Sequence, residues 1–300
     1  MPTIRQRVVA AISRNYPLYS GCGRLANHPV LQRIAGPSIE IAWARVPGGY
    51  WVASPLADHV GRAIFYCGDL DPKITWVCSR LVRTGDCVLD IGANLGLVTF
   101  TLSALVGPLG QVHAFEPAPQ MQTFIQDAIE RNNVTNVKLH RIALGAQDGE
   151  LMLSIPRSNA GAASLVATRQ ILGSSSVMVP VRTLSSVMAN HDVGHVRLLK
   201  MDVEGFEPEV LAGAAKFLSR QPPDVLVFEL NDSTGNLGQH PTVTMLSSLG
   251  YGFLGLPMKW TRMRAFRVGP GDLASTPTCH DFIAARLGRV YDEVAGRLRA

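Results

Sequence analysis

The spacing of apolar positions changes several times along the chain, and each change marks an element. CVLDIG (87–92) is a short apolar run ending in aspartate and glycine, as in a strand buried on both faces. A helical stretch, LGLVTFTLSALVG, follows. Then come a strand, QVHAFEP (111–117), a helix, MQTFIQDAIERNN (121–133), and a third strand, VKLHRIAL (137–144). Strand and helix alternating at this spacing predict a parallel sheet with crossover helices, and right-handed crossovers make it doubly wound. The alternation lapses at GELMLSIP (149–156) and VMVPVRTL (177–184), two strands in succession. Between them NAGAASLVATRQILGSSS is rich in Ala, Ser and Gly and reads as an inserted loop, either a plain surface loop or a lid over a ligand site.

The parallel pattern resumes with HVRLLKMDVEG (195–205), a strand running into a carboxylate-rich turn. A helix at 207–220 accepts Pro208 in its first turn. DVLVFEL (224–230) is the fifth parallel strand, and TVTMLSSLG (242–250) is a helix closed by Gly250. YGFLGLP, RAFRVG and HDFIAAR predict an antiparallel edge, and a last helix occupies 286–299. The expected fold class is therefore α/β, a doubly wound, Rossmann-like sheet, mostly parallel with an antiparallel C-terminal edge, plus an N-terminal extension. The expected division is an extension at 1–80, the α/β domain at 81–285 and a C-terminal helix at 286–300.

Residues 1–80 are punctuated by Pro and Gly. VPGGYWVASP (46–55) predicts a hairpin with Gly48-Gly49 in the turn. Ile4, Val8 and Ile12 predict a short basic amphipathic helix. Its apolar stripe is expected to pack on the protein's own body, with peripheral membrane contact through the basic N-terminus as the other reading.

Composition narrows the class. In 300 residues, 47% are hydrophobic and only 17% charged, so the chain can bury a sizeable core and does not read as disordered. The net charge of +5 comes largely from arginines near the two ends, without a compact Lys/Arg run or interleaved aromatics. That predicts a solvated basic surface and no nucleic-acid partner. Five cysteines, an odd number with no CxxC pair, argue against disulfides and structural zinc and fit a reducing cytoplasm. No stretch has the length of a transmembrane helix, and the first residues lack the apolar core of a signal peptide.

The chemistry concentrates in VLDIGANLG (88–96). A buried strand ends at Asp90, and Gly92 and Gly96 frame a tight turn that opens a helix. Glycine suits a turn whose backbone a ligand must approach closely. The pattern D-x-G-x-x-x-G is neither the dinucleotide G-x-G-x-x-G nor a Walker loop. A carboxylate at this strand end suits a ligand bearing an ammonium group, such as a methionine moiety. Glu116, ending the second strand, can accept hydrogen bonds from both hydroxyls of a ribose, and its charge disfavours a 2′-phosphate. In LLKMDVEG (198–205), Lys200, Asp202 and Glu204 meet at the C-terminal end of the fourth strand, and Glu229 in FELND would face Asp202 from the next. Charged groups so placed are costly unless paired or functional.

VLDIGANLG, FEP, KMDVEG-x-E and VFEL in this order resemble the FkbM-type methyltransferases. YCGDLDP (66–72), LVRTGDCVLD (81–90), GAQDGELML (145–153), NAGAASL (159–165) and VRTLSSVM (181–188) extend the resemblance over roughly residues 60–250. It implies S-adenosylmethionine as cofactor and methylation of a hydroxyl on a glycan, a glycolipid sugar or a secondary metabolite. It maps Asp90, Gly92, Asn94, Gly96 and Glu116 onto cofactor positions, and Asp202 and Glu204 onto the acidic fourth-strand motif. A sugar hydroxyl is a poor nucleophile, so a base should take its proton. Asp202 is the first choice, with Glu204 and Glu229 next and His59 or His240 behind them. Oxygen ligands at Asp202, Glu229, Asn231 and Asp232 would suit a divalent cation, but no metal is assigned. The rival readings are a dehydrogenase and a cofactor-binding accessory subunit without catalysis.

Overall fold

The computed structural model of the protein describes residues 1–15, 19–38, 40–156, 159–166, 174–191, 193–230, 237–257, 263–269 and 279–299. The chain opens with helices α1 (Ile4–Ser13), α2 (Cys22–Ala26) and α3 (Pro29–Ala35). A hairpin of β1 (Ile41–Arg45) and β2 (Trp51–Pro55) and helices α4 (His59–Cys67) and α5 (Pro72–Leu81) complete the lead-in. Gly48 and Gly49 take the hairpin turn with φ of +94° and +89°, which a two-glycine turn allows without steric cost.

The alternating part follows as β3 (Cys87–Ile91), α6 (Leu97–Val106), β4 (Gln111–Phe115), α7 (Pro119–Arg131) and β5 (Val137–His140). The insertion holds β6 (Ala143–Leu144), β7 (Gly149–Pro156) and β8 (Ser174–Arg182). The rest is α8 (Leu184–Ala189), β9 (Val196–Met201), α9 (Glu207–Arg220), β10 (Val225–Glu229), α10 (Pro241–Ser248), β11 (Tyr251–Leu256), β12 (Phe266–Val268), β13 (Asp281–Arg286) and α11 (Arg289–Arg297). The main sheet has the order β12-β11-β13-β10-β9-β3-β4-β5. Strands β5, β4, β3, β9 and β10 run parallel, and β13 lies antiparallel between β10 and β11. The predicted doubly wound sheet with its antiparallel C-terminal edge is therefore present.

Alternating side chains divide the core. Leu89, Ile91, Leu226 and Phe228 point to one face, with α8, α9 and α10. Val88, Val112, Val225 and Val227 point to the other, with α5, α6 and α11. The lead-in is not detached from this body. Val52 and Ala53 of β2 and Val60, Ala63 and Ile64 of α4 share one cluster with Leu95, Phe100 and Ile125. Asn132, closing α7, clamps the hairpin: its Nδ2 donates to Trp51 O (2.7 Å) and its Oδ1 accepts from Trp51 N (2.8 Å).

Three expectations are corrected. The predicted third strand, 137–144, is two strands. The chain leaves the main sheet after His140, and Ala143–Leu144 pairs with Val181–Arg182 in a separate sheet of order β6-β8-β7. One continuous apolar run cannot show that its partner changes halfway. The strand expected at 177–184 stops at Arg182, because Thr183 Oγ1 accepts from Ser186 N (3.1 Å) and starts α8. In α1 the apolar stripe faces outward. Ile4, Val8 and Ile12 are 80%, 52% and 70% exposed, while Gln6, Ala10 and Ser13 are buried. Arg14 fixes this orientation by donating to the carbonyls of Phe65, Ile64 and Arg45, so Gln6, Ala10 and Ser13 face the body.

Gly92, where β3 leaves the sheet, is constrained twice. Its φ is +80°, and a Cβ there would lie 1.9 Å from the carbonyl oxygen of Asp202. Gly92→Ala is expected to lose about 2–5 kcal/mol in urea unfolding, from left-handed strain plus overpacking. Gly49→Ala meets no atom within 4 Å and carries only the strain of φ +89°, about 1–2 kcal/mol. Equal losses in the two variants would show that the Asp202 contact is not what requires glycine.

Candidate active site

The parallel strands fan out in two directions from the gap between β3 and β9, the place where an open α/β sheet binds ligands. At the C-terminal ends of these strands lies a cavity of about 570 Å³. The first wall is the turn after β3. Asp90 is wholly buried. Thr99 Oγ1 donates to its Oδ2 (2.6 Å), and Lys200 Nζ stands 3.3 Å from its Oδ1. Lys200 also donates to Gly92 O (2.8 Å) and approaches Asp202 at 3.9 Å. Burial disfavours the Lys200 ammonium, but Asp90 and Asp202 outweigh it and hold its pKa above the ordinary lysine value. The ammonium that Asp90 meets is thus the chain's own, and Asp90 does not line the cavity.

Gly92 and Asn94 line the cavity; Gly96 does not. Gly96 begins α6 with φ +86°, and a Cβ there would strike the Phe100 ring at 2.9 Å. Glu116 lines the cavity and is buried. Its Oε2 accepts from Asn94 N (2.7 Å) and its Oε1 from Ala118 N (2.8 Å). Burial pushes its carboxyl up to about 7, against these two bonds, which favour the ionised form.

The opposite wall brings together all three predicted acids, Asp202, Glu204 and Glu229. Their turn is held by a fourth. Glu207 Oε1 accepts from Val203 N (3.1 Å) and Gly205 N (3.4 Å), which lets Glu204 take φ +55°. Burial first, and then the charges of Asp202, Asp281, Glu204 and Glu207, raise the Glu229 carboxyl to about 8. Asn231 and Asp232 lie outside the described residues. His59 lines the cavity, whereas His240 Nδ1 accepts from Thr242 N (3.3 Å) at the start of α10.

Several lining residues escaped the sequence reading. Asp281 faces Glu229 in the register of β13 on β10, because an antiparallel strand starts where its parallel neighbour ends. The lead-in contributes Asp69, Asp71 and Lys73, and Lys73 bridges Asp71 (2.6 Å) and Asp281 (2.7 Å). The inserted loop, for which a lid over a ligand site is one of the two expectations, brings Asn159, Gly161, Ala163 and Leu165 to the cavity. A Cβ on Gly161 would lie 2.6 Å from Val60 of α4, so this segment is wedged against the lead-in. Residues 167–173 of the same loop lie outside the described ones.

The turn also decides between ligand classes. Gly92 N and Ala93 N both donate to Phe115 O (3.1 Å each), and Asn94 N to Glu116. A turn that grips a diphosphate needs such N–H groups for the ligand. Here they are spent within the chain, which leaves a cofactor held by side chains and without a diphosphate. Asn94 Oδ1 and Asn159 Oδ1 fit that demand, since both are buried on the cavity wall without a hydrogen-bond partner among the described residues. Fold and cavity together are those of an S-adenosylmethionine-dependent methyltransferase.

Comparison with known proteins narrows this further. The family model of the methyltransferase FkbM domain matches residues 90–253. "Methyltransferase 1" of Beauveria bassiana is 31% identical over 184 residues, covering 55% of this chain and 71% of its own. "31-O-demethyl-FK506 methyltransferase FkbM" of Streptomyces tacrolimicus is 30% identical over 202 residues, covering 57% and 74%. Among solved structures, methyltransferase FkbM from Methylobacillus flagellatus aligns with 76% of this chain and 65% of its own, at 14% identity and a TM-score of 0.41. The chain belongs to the FkbM methyltransferase family, and its cofactor is S-adenosylmethionine.

Two expected outcomes test the site. Glu116 ionises as pH rises through about 7, and the ionised form accepts hydroxyl donors. S-adenosylhomocysteine affinity measured by calorimetry should therefore improve from about pH 6 to about pH 8. Glu116→Gln should flatten this dependence and Glu116→Ala should cost about 1.5–3 kcal/mol. An unchanged pH profile in Glu116→Gln would remove Glu116 from the ribose. Lys200→Met should destabilise the fold by about 3–5 kcal/mol, because Asp90 is left charged and buried, and adding Asp90→Asn should recover most of it. A double variant no more stable than the single one would show that the pair is not coupled.

Proposed function

We propose that the protein is an O-methyltransferase whose acceptor is a hydroxyl of a neutral polyhydroxylated molecule, either the sugar of a glycan or glycolipid or a secondary metabolite. The observation that supports it most is the acidic wall of Asp202, Glu204, Glu229 and Asp281. Carboxylates accept hydrogen bonds from neighbouring hydroxyls and oppose phosphorylated or carboxylated acceptors. The name of the Streptomyces relative describes methylation at an oxygen of FK506, which agrees with an oxygen acceptor. The bound cofactor supplies an electrophilic methyl group.

The chain's residues have three tasks in this reading. Asn94 and Glu116 hold the cofactor. The segment at 159–166 covers the cavity beside α4 and excludes water from it. Glu229 takes the acceptor proton. Position alone points to Asp202, but Asp202 is paired with Lys200, whereas the proton affinity of Glu229 lies near neutrality, where a general base works best. Asp202 and Glu204 then orient the acceptor. A reducing, cytoplasmic location is part of the proposal, supported by five cysteines that are all free thiols.

The test is incubation of the protein and S-adenosylmethionine with a panel of glycans, glycolipids and polyols, scored by mass spectrometry for the gain of one methylene unit. With the acceptor in hand, Glu229→Gln should lower turnover by about 10²-fold or more while changing S-adenosylhomocysteine affinity little. The wild-type rate should climb as pH rises through about 8, since Glu229 must be ionised to accept a proton. Asp202→Asn should act mainly on KM. The reverse split, with turnover lost in Asp202→Asn and kept in Glu229→Gln, would return the base to Asp202. Methylation at nitrogen or carbon only would overturn the oxygen reading.

A further inference from the structure

Helix α1 is inside out for a helix that serves only its own fold. It presents Ile4, Val8 and Ile12 to solvent and turns Gln6, Ala10 and Ser13 inward. An amphipathic helix free to choose would roll its isoleucines into the core. Arg14 prevents that by binding three backbone carbonyls of α4 and β1, and Thr3 and Gln6 cap the other end reciprocally. The adjacent α3 repeats the arrangement, with Val30 and Ile34 one turn apart and both exposed. The outward stripe is thus a held feature on two packed helices.

Its charge is equally one-sided. Residues 1–39 contain five arginines and no aspartate or glutamate. Arg14 is engaged, while Arg5, Arg7, Arg24 and Arg33 are exposed. Apolar side chains flanked by exposed guanidinium groups match a surface that offers hydrocarbon beneath anionic head groups. A protein partner would need a shaped apolar groove with acidic rims; a bilayer needs only these two chemistries at one level. Helix α2 packs on α3 and α4 and supplies Gly23 and Arg24 to the cavity wall, so a surface held there lies next to the site.

We propose that α1 and α3 form a peripheral docking surface for anionic membranes, inserting Ile4, Val8, Ile12, Val30 and Ile34 and setting Arg5, Arg7 and Arg33 against lipid phosphates. This holds whichever acceptor is methylated, and its test uses no acceptor. The full chain is sedimented with vesicles of phosphatidylcholine alone or with about one-third phosphatidylglycerol. Binding is expected to the anionic vesicles, to weaken with added salt, and to fall by about tenfold or more in Ile4→Glu/Val8→Glu/Ile12→Glu and in Arg5→Glu/Arg7→Glu. S-adenosylhomocysteine affinity should be unchanged in both variants, which shows that they are folded. Wild type that ignores anionic vesicles, or folded variants that bind them equally, overturns the proposal. So does a wild-type dimer in sedimentation equilibrium that the isoleucine variant dissolves without any vesicle binding, since the surface would then join two copies of this chain.

Discussion

The ion pair between Asp90 and Lys200 is the constraint on which the site depends. The two residues lie side by side in the register of β3 and β9, at the switch point of the sheet, and both are buried. Removing two charges from water is expensive, and their attraction offsets the cost only if the remaining polar atoms are satisfied. Thr99 serves Asp90, and Gly92 O serves Lys200. The second bond matters for function, because it ties the glycine turn to β9. Asp202 N donates to Ile91 O (3.1 Å), and the missing Cβ of Gly92 leaves room for the Asp202 carbonyl. The ends of β3, β4 and β9 are thereby locked before any ligand arrives, and Asn94 and Asp202 inherit fixed positions from that lock.

This explains what could be read from the sequence. The order of buried strands and the acids that end them follow from periodicity and residue type, so Glu116, Asp202, Glu204 and Glu229 could be placed on one rim without coordinates. The reason for the glycine was harder. A tight turn with a missing Cβ looks the same whether a ligand or another strand fills the gap, and for Gly92 it is the strand. Asp90 has the same ambiguity, because a carboxylate at a strand end does not reveal whose cation it meets. Lys73, Asp69 and Asp281 were illegible for a topological reason. They come from the lead-in and from an antiparallel strand far along the chain, and only the closed sheet brings them to the cavity.

The electrostatics of the cavity follow from the same packing. Burial is the leading cause that lifts Asp69 and Asp281 to about 6, Glu116 to about 7 and Glu229 to about 8. Lys73 restrains the rise at Asp281, and Lys200 contributes in the same sense at Glu116. Lys73, Lys200 and Arg24 are outnumbered by the carboxyls of the wall, which is left short of positive charge. Such a wall favours a cationic ligand, as the sulfonium cofactor is, and it opposes anions. Proton affinities near neutrality also mean that the arrival of a cation shifts these acids toward their ionised forms, which is when a carboxylate becomes able to accept a proton.

The outward stripe of α1 belongs to a different economy from the core. The buried clusters are filled on both faces of the sheet without Ile4, Val8 or Ile12. Folding therefore gains nothing from these side chains, and a monomer that exposes them beside Val30 and Ile34 carries the association risk of an apolar patch. The lead-in holds them out by means of Arg14, whose side chain is tied to the backbone carbonyls of Phe65, Ile64 and Arg45. The helix thus has one residue that fixes its orientation and several that face away from the body. Its inner side is continuous, through α4, with the core that supports the glycine turn after β3. Orientation at the surface and geometry at the site are for that reason set by one packed unit, and a contact made outside at α1 bears on the same helix, α4, that walls the cavity.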